Sequence, residues 1–230
     1  MKKFELTTEF ITNFLGTKLF RIKALVEFGK VEKGELGGFV EKEENLDHDG
    51  DAWVYGDARV YGDARVSGNA EVSGDARVSG DARVYGDARV SGNAEVSGDA
   101  WVSGDARVYG DARVSGDAWV SGNARVYGNA EVSGDARVYG DAEVSGNAEV
   151  SGDQMYATVK GFGSEYRNTT FFITKDGNVC VNCGCFSGTL EQFREKVEET
   201  HKDTKYAKEY LTIADLMEMH FKEELEKIKK

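Results

Sequence analysis

The side chains with chemistry to offer are few and lie outside the middle of this chain. They are His48, His201 and His220, and the cluster Cys180-Val-Asn-Cys183-Gly-Cys185. Three thiols with His201 as a fourth group could bind zinc, which takes thiolate and imidazole in a tetrahedron. The spacing is tight, whereas structural zinc sites draw ligands from two separated pairs. Strand alternation also aims Cys183 and Cys185 to one side and Cys180 to the other. Buried thiols without metal are therefore the expectation. His48 has the right range for a general base, but its place at the start of a repeat predicts a structural role. Arg89, Arg107 and Arg125 recur every eighteen residues beside Tyr109 and Tyr127. Stacked, they could bind a nucleotide or other anion, or instead neutralise Asp87 and Asp105.

What must position these groups is a repeat. From Gly50 to Ser151 the unit Gly-[Asp/Asn]-Ala-[Arg/Glu/Trp]-Val-[Ser/Tyr] recurs seventeen times without insertion or deletion. So strict a period means a solenoid, whose units bury apolar side chains only against their neighbours. Val and Ala alternate at spacings of four and two, which does not suit a 3.6-residue helix. One Gly per six residues would also cost a helix roughly 1 kcal/mol each time against Ala. A short strand with a bend every sixth residue fits. Gly followed by Asp or Asn supplies the bend, because these residues best tolerate positive φ. Twelve Asp and five Asn share that position, so the turn and not the carboxylate is what the position requires. Val and Ala then point inward, while Arg/Glu/Trp and Ser/Tyr point to solvent.

The hexads resemble those of the hexapeptide-repeat, left-handed parallel β-helix family: an aliphatic residue, three variable ones, a small one and another variable one. The resemblance implies triangular coils of three hexads and the left hand. Seventeen hexads make about 5.7 coils, stacked to roughly 27 Å at ~4.8 Å per strand. Each open end of such a stack would recruit other chains unless capped. Sorting hexads by three yields three faces. The first carries Trp53, Glu71, Arg89, Arg107, Arg125 and Glu143. The second carries Arg59, Arg77, Glu95, Arg113, Glu131 and Glu149. The third carries Arg65, Arg83, Trp101, Trp119 and Arg137, with Tyr85 and Tyr139. Trp101 and Trp119 should stack in adjacent coils, flanked by Arg83, Tyr85, Arg137 and Tyr139. That composition suits an interface hot spot; an aromatic ladder that only stabilises its own strands is the competing expectation.

Net charge is −12 over 230 residues, and the repeat alone contributes −8 with no Lys and no His. Nucleic-acid binding, which needs a positive face, is not expected. No stretch is apolar enough to span a membrane, the N-terminus does not read as a signal peptide, and three clustered cysteines make no disulfide framework. The expectation is a protein of the cytoplasm of a bacterial host.

The flanks divide the chain into an N-terminal cap (1–49), the β-helix (50–151) and a C-terminal α+β domain (152–230). In the cap, Leu19–Val26 alternates as a strand, and Phe39, Val40 and Leu46 should cover the open end. Leu46 falls in the Ala register and His48 in the Val register. After the repeat, 155–162 and 170–183 read as strands, the latter broken by a hairpin signal at Asp176-Gly177. Thr189 and Gln192 form a capping box that opens a helix ending near His201; a second helix runs from about Thr204 to Lys229 with a charged tail.

The segments Leu36-Gly-Gly-Phe-Val-Glu-Lys-Glu-Glu-Asn-Leu46 and Cys183-Gly-Cys-Phe-Ser-Gly-Thr189, with Thr200-His201 and Tyr206-Ala-Lys-Glu-Tyr210, resemble phage- and prophage-encoded hexapeptide-repeat proteins, often labelled transferases. Hexapeptide acyltransferases carry a histidine base on the coils and often a projecting loop. Here the coils have no His, Cys, Lys or insertion, so no catalytic residue is transferred. The sequence therefore predicts a non-enzymatic structural or interaction protein, without cofactor, that binds a protein partner or itself as a homo-oligomer. An acyl-CoA-dependent transferase acting as a trimer is the alternative, and an anion-binding protein the second.

Overall fold

Each hexad puts one residue pair into a strand and bends at the next glycine. In a computed structural model describing residues 1–228, strands β1 (Phe4–Thr12), β2 (Lys18–Ala24) and β3 (Leu36–Val40) precede seventeen two-residue strands. These, β4 to β20, recur every sixth residue from Trp53–Val54 to Glu149–Val150. Lys229 and Lys230, the end of the predicted helix and charged tail, lie outside the described residues. Arg89 pairs with Arg107 and Arg107 with Arg125, all parallel, so three hexads complete one turn. The three predicted faces are three parallel sheets. The fold is a parallel β-solenoid, held by hydrogen bonds such as Arg89 N–H to Ala106 O and Ser91 N–H to Val108 O, each 2.9 Å.

Every Val and Ala of the repeat is fully buried. Burying a valine stabilises by roughly 1.5–3 kcal/mol, so the stack is driven by a residue that each coil repeats. The glycine explains why the unit tolerates no substitution there. Gly86 has φ 72°, and a Cβ on it would lie 3.0 Å from the Gly104 nitrogen of the next coil.

The N-terminal segment does more than cover the first coil; it continues the sheet. β1 and β2 pair antiparallel, β2 with β3 antiparallel, and β3 joins the parallel ladder beside Arg59–Val60. Val40 lies opposite Val60, and Leu46 opposite Val66. That offset of twenty residues, against eighteen within the repeat, corrects the predicted register. Leu46 occupies the valine row, because two extra residues lie between it and Val54. His48 is consequently out of both rows. Strand β1, which alternation did not reveal, is the outer strand, with a register shift between Leu6 and Phe10; Phe10, Phe14 and Leu15 are exposed at its hairpin. Trp53, expected at the surface, is fully buried, packed edge-on by Phe4 and Phe28. Lys3 Nζ donates to the carbonyls of Gly50 (3.2 Å) and Ala52 (3.0 Å), and burial lowers its pKa.

The other end is closed by side chains. β21 (Tyr156–Val159), β22 (Thr169–Ile173), β23 (Val179–Cys183) and β24 (Phe186–Thr189) form an antiparallel sheet. The hairpin of β23 and β24 was not foreseen. Helix α1 (Leu190–His201) opens with the Thr189/Gln192 capping box, and α2 spans Lys205–Ile228. Outward-pointing backbone groups of the last coil find partners here. Arg137 N–H donates to Asp153 (2.8 Å) and Glu143 N–H to Thr170 (3.0 Å). The Arg137 carbonyl accepts from the Tyr156 hydroxyl, and the Glu143 carbonyl from Asn182 (2.9 Å). Thr174 bridges Ala148 antiparallel. No helix among the described residues is long and apolar enough to cross a membrane.

Gly86→Ala is expected to lower stability by at least ~1–2 kcal/mol, the left-handed penalty for a side chain. Gly140→Ala, at φ 67° with nothing within 4 Å of the new Cβ, should lose less. Urea denaturation of both variants separates the clash from the backbone strain.

Candidate interaction surface

The third face assembles all six residues that its sequence marked. Trp101 and Trp119 pair in register, their rings 4.8 Å apart and 7° from parallel. Arg83 lies over Trp101 at 4.9 Å and Arg137 over Trp119 at 5.8 Å. Tyr85 meets the edge of Trp101 at 5.9 Å. The result is a column guanidinium–indole–indole–guanidinium. Trp119 is 43% and Tyr139 61% exposed, so large aromatic area faces solvent on a rigid sheet. The ion pairs between ladder strands fall on the other two faces: Arg77–Glu95, Arg113–Glu131, Arg89–Glu71 and Arg125–Glu143. On the third face no strand carries a carboxylate.

The first face shows the predicted arginine column with Tyr109 and Tyr127 stacked at 5.0 Å. The carboxylates that pair with it are not Asp87 and Asp105. Arg89 reaches Glu71 at 3.7 Å and Arg125 reaches Glu143 at 2.9 Å, because Glu shares the arginine row one coil away. Arg107 stands between two arginines, and among the described residues it has no ion-pair partner. A depression there is lined by Arg89, Ser91, Arg107, Tyr109 and Arg125.

The thiols and imidazoles are only partly brought together. Cys183, Cys185 and His201 line one cavity of about 270 Å³, with Phe186, Phe193 and Tyr210. Cys180 is not among its walls, and burial pushes its thiol up. Among the described residues no three His, Cys, Asp or Glu side chains are placed to hold a metal, so the four candidates do not form one ligand set. Cys183 accepts from Thr169 Oγ1 at 3.2 Å. Burial, then the neighbouring Cys183, push the Tyr210 phenol up to about 12. His48 has both nitrogens engaged: Nδ1 accepts from Lys3 N–H at 3.1 Å, and Nε2 meets Glu43 at 2.7 Å. Its ring stacks on Phe4, which makes it a latch for β1.

One role went unread in the sequence. Asn69, Asn93 and Asn123 each donate to the aspartate one coil on, Asp87, Asp111 and Asp141, at 2.9–3.0 Å. Asn thereby interrupts two of the three aspartate rows, while the third, from Asp63 to Asp135, is aspartate throughout. The signal was the eighteen-residue spacing of those pairs.

A parallel solenoid with a cap at each end, whose coils differ from one another only in their surface residues, defines a structural β-helix protein. Residues 44–162 match the family model of bactofilin, described as polymer-forming and cytoskeletal. The match spans more than half of the chain, and the chain belongs to the bactofilin family. No curated protein matches it.

Two expectations follow. Arg107→Glu should place a carboxylate between Arg89 and Arg125 and raise stability by a few tenths to about 1 kcal/mol, read by denaturant melts. For Tyr210, the folded pKa lies above the unfolded value near 10. Its contribution is fully present below pH 10 and lost as pH rises through about 12. Tyr210→Phe should flatten that alkaline loss of stability; an unchanged slope would contradict it.

Proposed function

We propose that this protein is a self-associating structural subunit whose lateral contact is the Trp101/Trp119 strip. The observation that carries this reading is the strip itself: two stacked indoles on a rigid sheet, Trp119 exposed and Trp101 half-buried, flanked by arginines that pair with rings and not with carboxylates. Tryptophan and arginine are the residues that most often dominate interfaces. A ladder already ordered by its backbone loses little freedom on docking. Family membership supports the reading, since bactofilin is described as polymer-forming and cytoskeletal. At the C-terminal end the backbone groups of Arg137 and Glu143 are already satisfied within the chain, which favours a contact through a face over one through that end. The phage or prophage setting belongs to this proposal too, on the resemblance of residues 36–46 and 183–189.

A second reading is supported by Arg107. A column of three guanidiniums with its middle member unpaired could hold a polyanion. Inorganic tripolyphosphate should then bind in calorimetry and lose its heat in Arg107→Ala; no heat with the native chain rejects that reading.

Trp101→Ala with Trp119→Ala should weaken self-association by roughly 30-fold or more, the effect of removing about 2 kcal/mol at a hot spot. Circular dichroism should show the solenoid intact. Unchanged sedimentation of the variant would remove the strip as the contact.

A further inference from the structure

Each coil of the third face presents two outward residues, one on either side of a buried valine. Two columns result. The first is Arg65, Arg83, Trp101, Trp119 and Arg137; the second is Ser67, Tyr85, Ser103, Ser121 and Tyr139. From Arg83 to Tyr139 each coil holds a complementary couple: tyrosine beside arginine, serine beside tryptophan. At the corner before the first column stands the row that is aspartate throughout, from Asp63 to Asp135.

Two flat faces can meet about a two-fold in only two ways. An axis along the strands reverses the order of the coils and lays every column on itself. An axis along the solenoid keeps the coils level and, passing between the two columns, exchanges them. We propose that the third face binds the same face of a second copy with the two solenoids parallel, about a two-fold axis that runs along them between these columns. This rests on the strip being the contact and adds its occupant, orientation and register. A two-fold interface is self-complementary, with residue i on j and j on i. Trp101 then lies over the partner's Ser103 and Trp119 over the partner's Ser121, large on small. Arg83 lies over the partner's Tyr85 and Arg137 over the partner's Tyr139, cation on ring. Each contact occurs twice. The two aspartate rows fall on opposite rims, roughly 20 Å apart at about 3.3 Å per residue, which exceeds the screening length at physiological salt.

The other arrangements match less well. The axis along the strands lays the aspartate row on the partner's aspartate row at any level. Centred on the tryptophans, it also opposes Arg83 to the partner's Arg137 and leaves serine facing serine. A parallel axis moved onto the first column sets each arginine and each indole on its own copy. Moved to the far side of that column, it presses Trp101 and Trp119 onto the partner's Asp99 and Asp117, burying carboxylates that an indole face does not satisfy. The second face offers only serine to its charged residues from Arg77 to Glu149, and on the first face only Arg107 and Arg125 would meet tyrosine. Five strands at ~4.8 Å and hexads of about 20 Å offer about 500 Å² per copy, so about 1,000 Å² in all, the small end of specific interfaces. The pair should therefore form in a concentration-dependent way.

Orientation is tested by linking Ser67→Cys and Tyr139→Cys proteins, mixed at pairing concentration, with a short bis-maleimide. Mass spectrometry of the linked peptides separates these sites from the native thiols. Parallel pairing brings each new thiol within about 12 Å of its own copy and keeps 67 and 139 about four coils, ~19 Å, apart along the axis. Links from 67 to 67 and from 139 to 139 are expected. Links from 67 to 139 would overturn the parallel arrangement and leave the strip as the contact, and an unlinked mixture that still sediments as a pair would overturn it too. Ser103→Trp tests the register, because it sets an indole against the partner's Trp101 while both native indoles remain. Pairing should weaken by about tenfold or more with an unchanged unfolding midpoint; full pairing would overturn the register. A native chain that stays monomeric at every concentration would overturn both the pair and the strip, a result distinct from a wrong orientation.

Discussion

The constraint on which everything rests is the passage of one glycine over another every eighteen residues. At these corners the backbone takes positive φ, and successive turns approach closely enough for Asn69 N–H to reach the Gly86 carbonyl at 2.8 Å. Such contact leaves no room for a side chain. It also sets the registry of all three sheets, because a corner that cannot slip holds the strands on both sides of it. Valine and alanine then fill a prism whose cross-section never changes. A bulkier residue or one extra residue in the repeat would break both the corner and the core together.

That rigidity moves functional variety outward. Inside, each coil repeats Ala and Val; outside, the residue between them is free to be Arg, Glu or Trp. Where arginine and glutamate share a row they neutralise each other one coil apart, as Arg77 and Glu95 do. Where tryptophan shares a row with arginine, the guanidiniums lie over rings and the face stays apolar and cationic. The faces therefore differ in what they can hold, although their backbones are the same. A family described as polymer-forming suits such a body, since an unvarying frame presents contacts at fixed intervals.

The ends obey another logic. A parallel ladder always finishes with unpaired groups, and this chain answers them with unlike devices. At the start, β3 and Leu46 add a further coil and Lys3 is pinned to the carbonyls of Gly50 and Ala52. At the finish, Asp153, Thr170, Tyr156 and Asn182 meet the backbone of Arg137 and Glu143 one by one. Burial of Trp53 belongs to the first device: an indole that the repeat would place outside is enclosed because the cap brings Phe4 and Phe28 to it.

By itself the sequence determined the solenoid, its three faces, the buried Val and Ala rows and the stack of Trp101 on Trp119, because each follows from a local period that neighbours copy. The capping box at Thr189 was legible for the same reason, being a contact between residues three apart. Only the tertiary structure decided the rest. Leu46 sits in the valine row because two extra residues precede Val54, a shift that pattern alone cannot assign to one row or the other. The carboxylates opposite Arg89 and Arg125 proved to be Glu71 and Glu143, since side-chain reach along a column beat proximity in the chain. Cys180 parted from Cys183 and Cys185, and His48 gave both nitrogens to the cap, because their partners come from distant segments. Local repetition writes itself in sequence; contacts between unlike, distant segments exist only once the chain has folded.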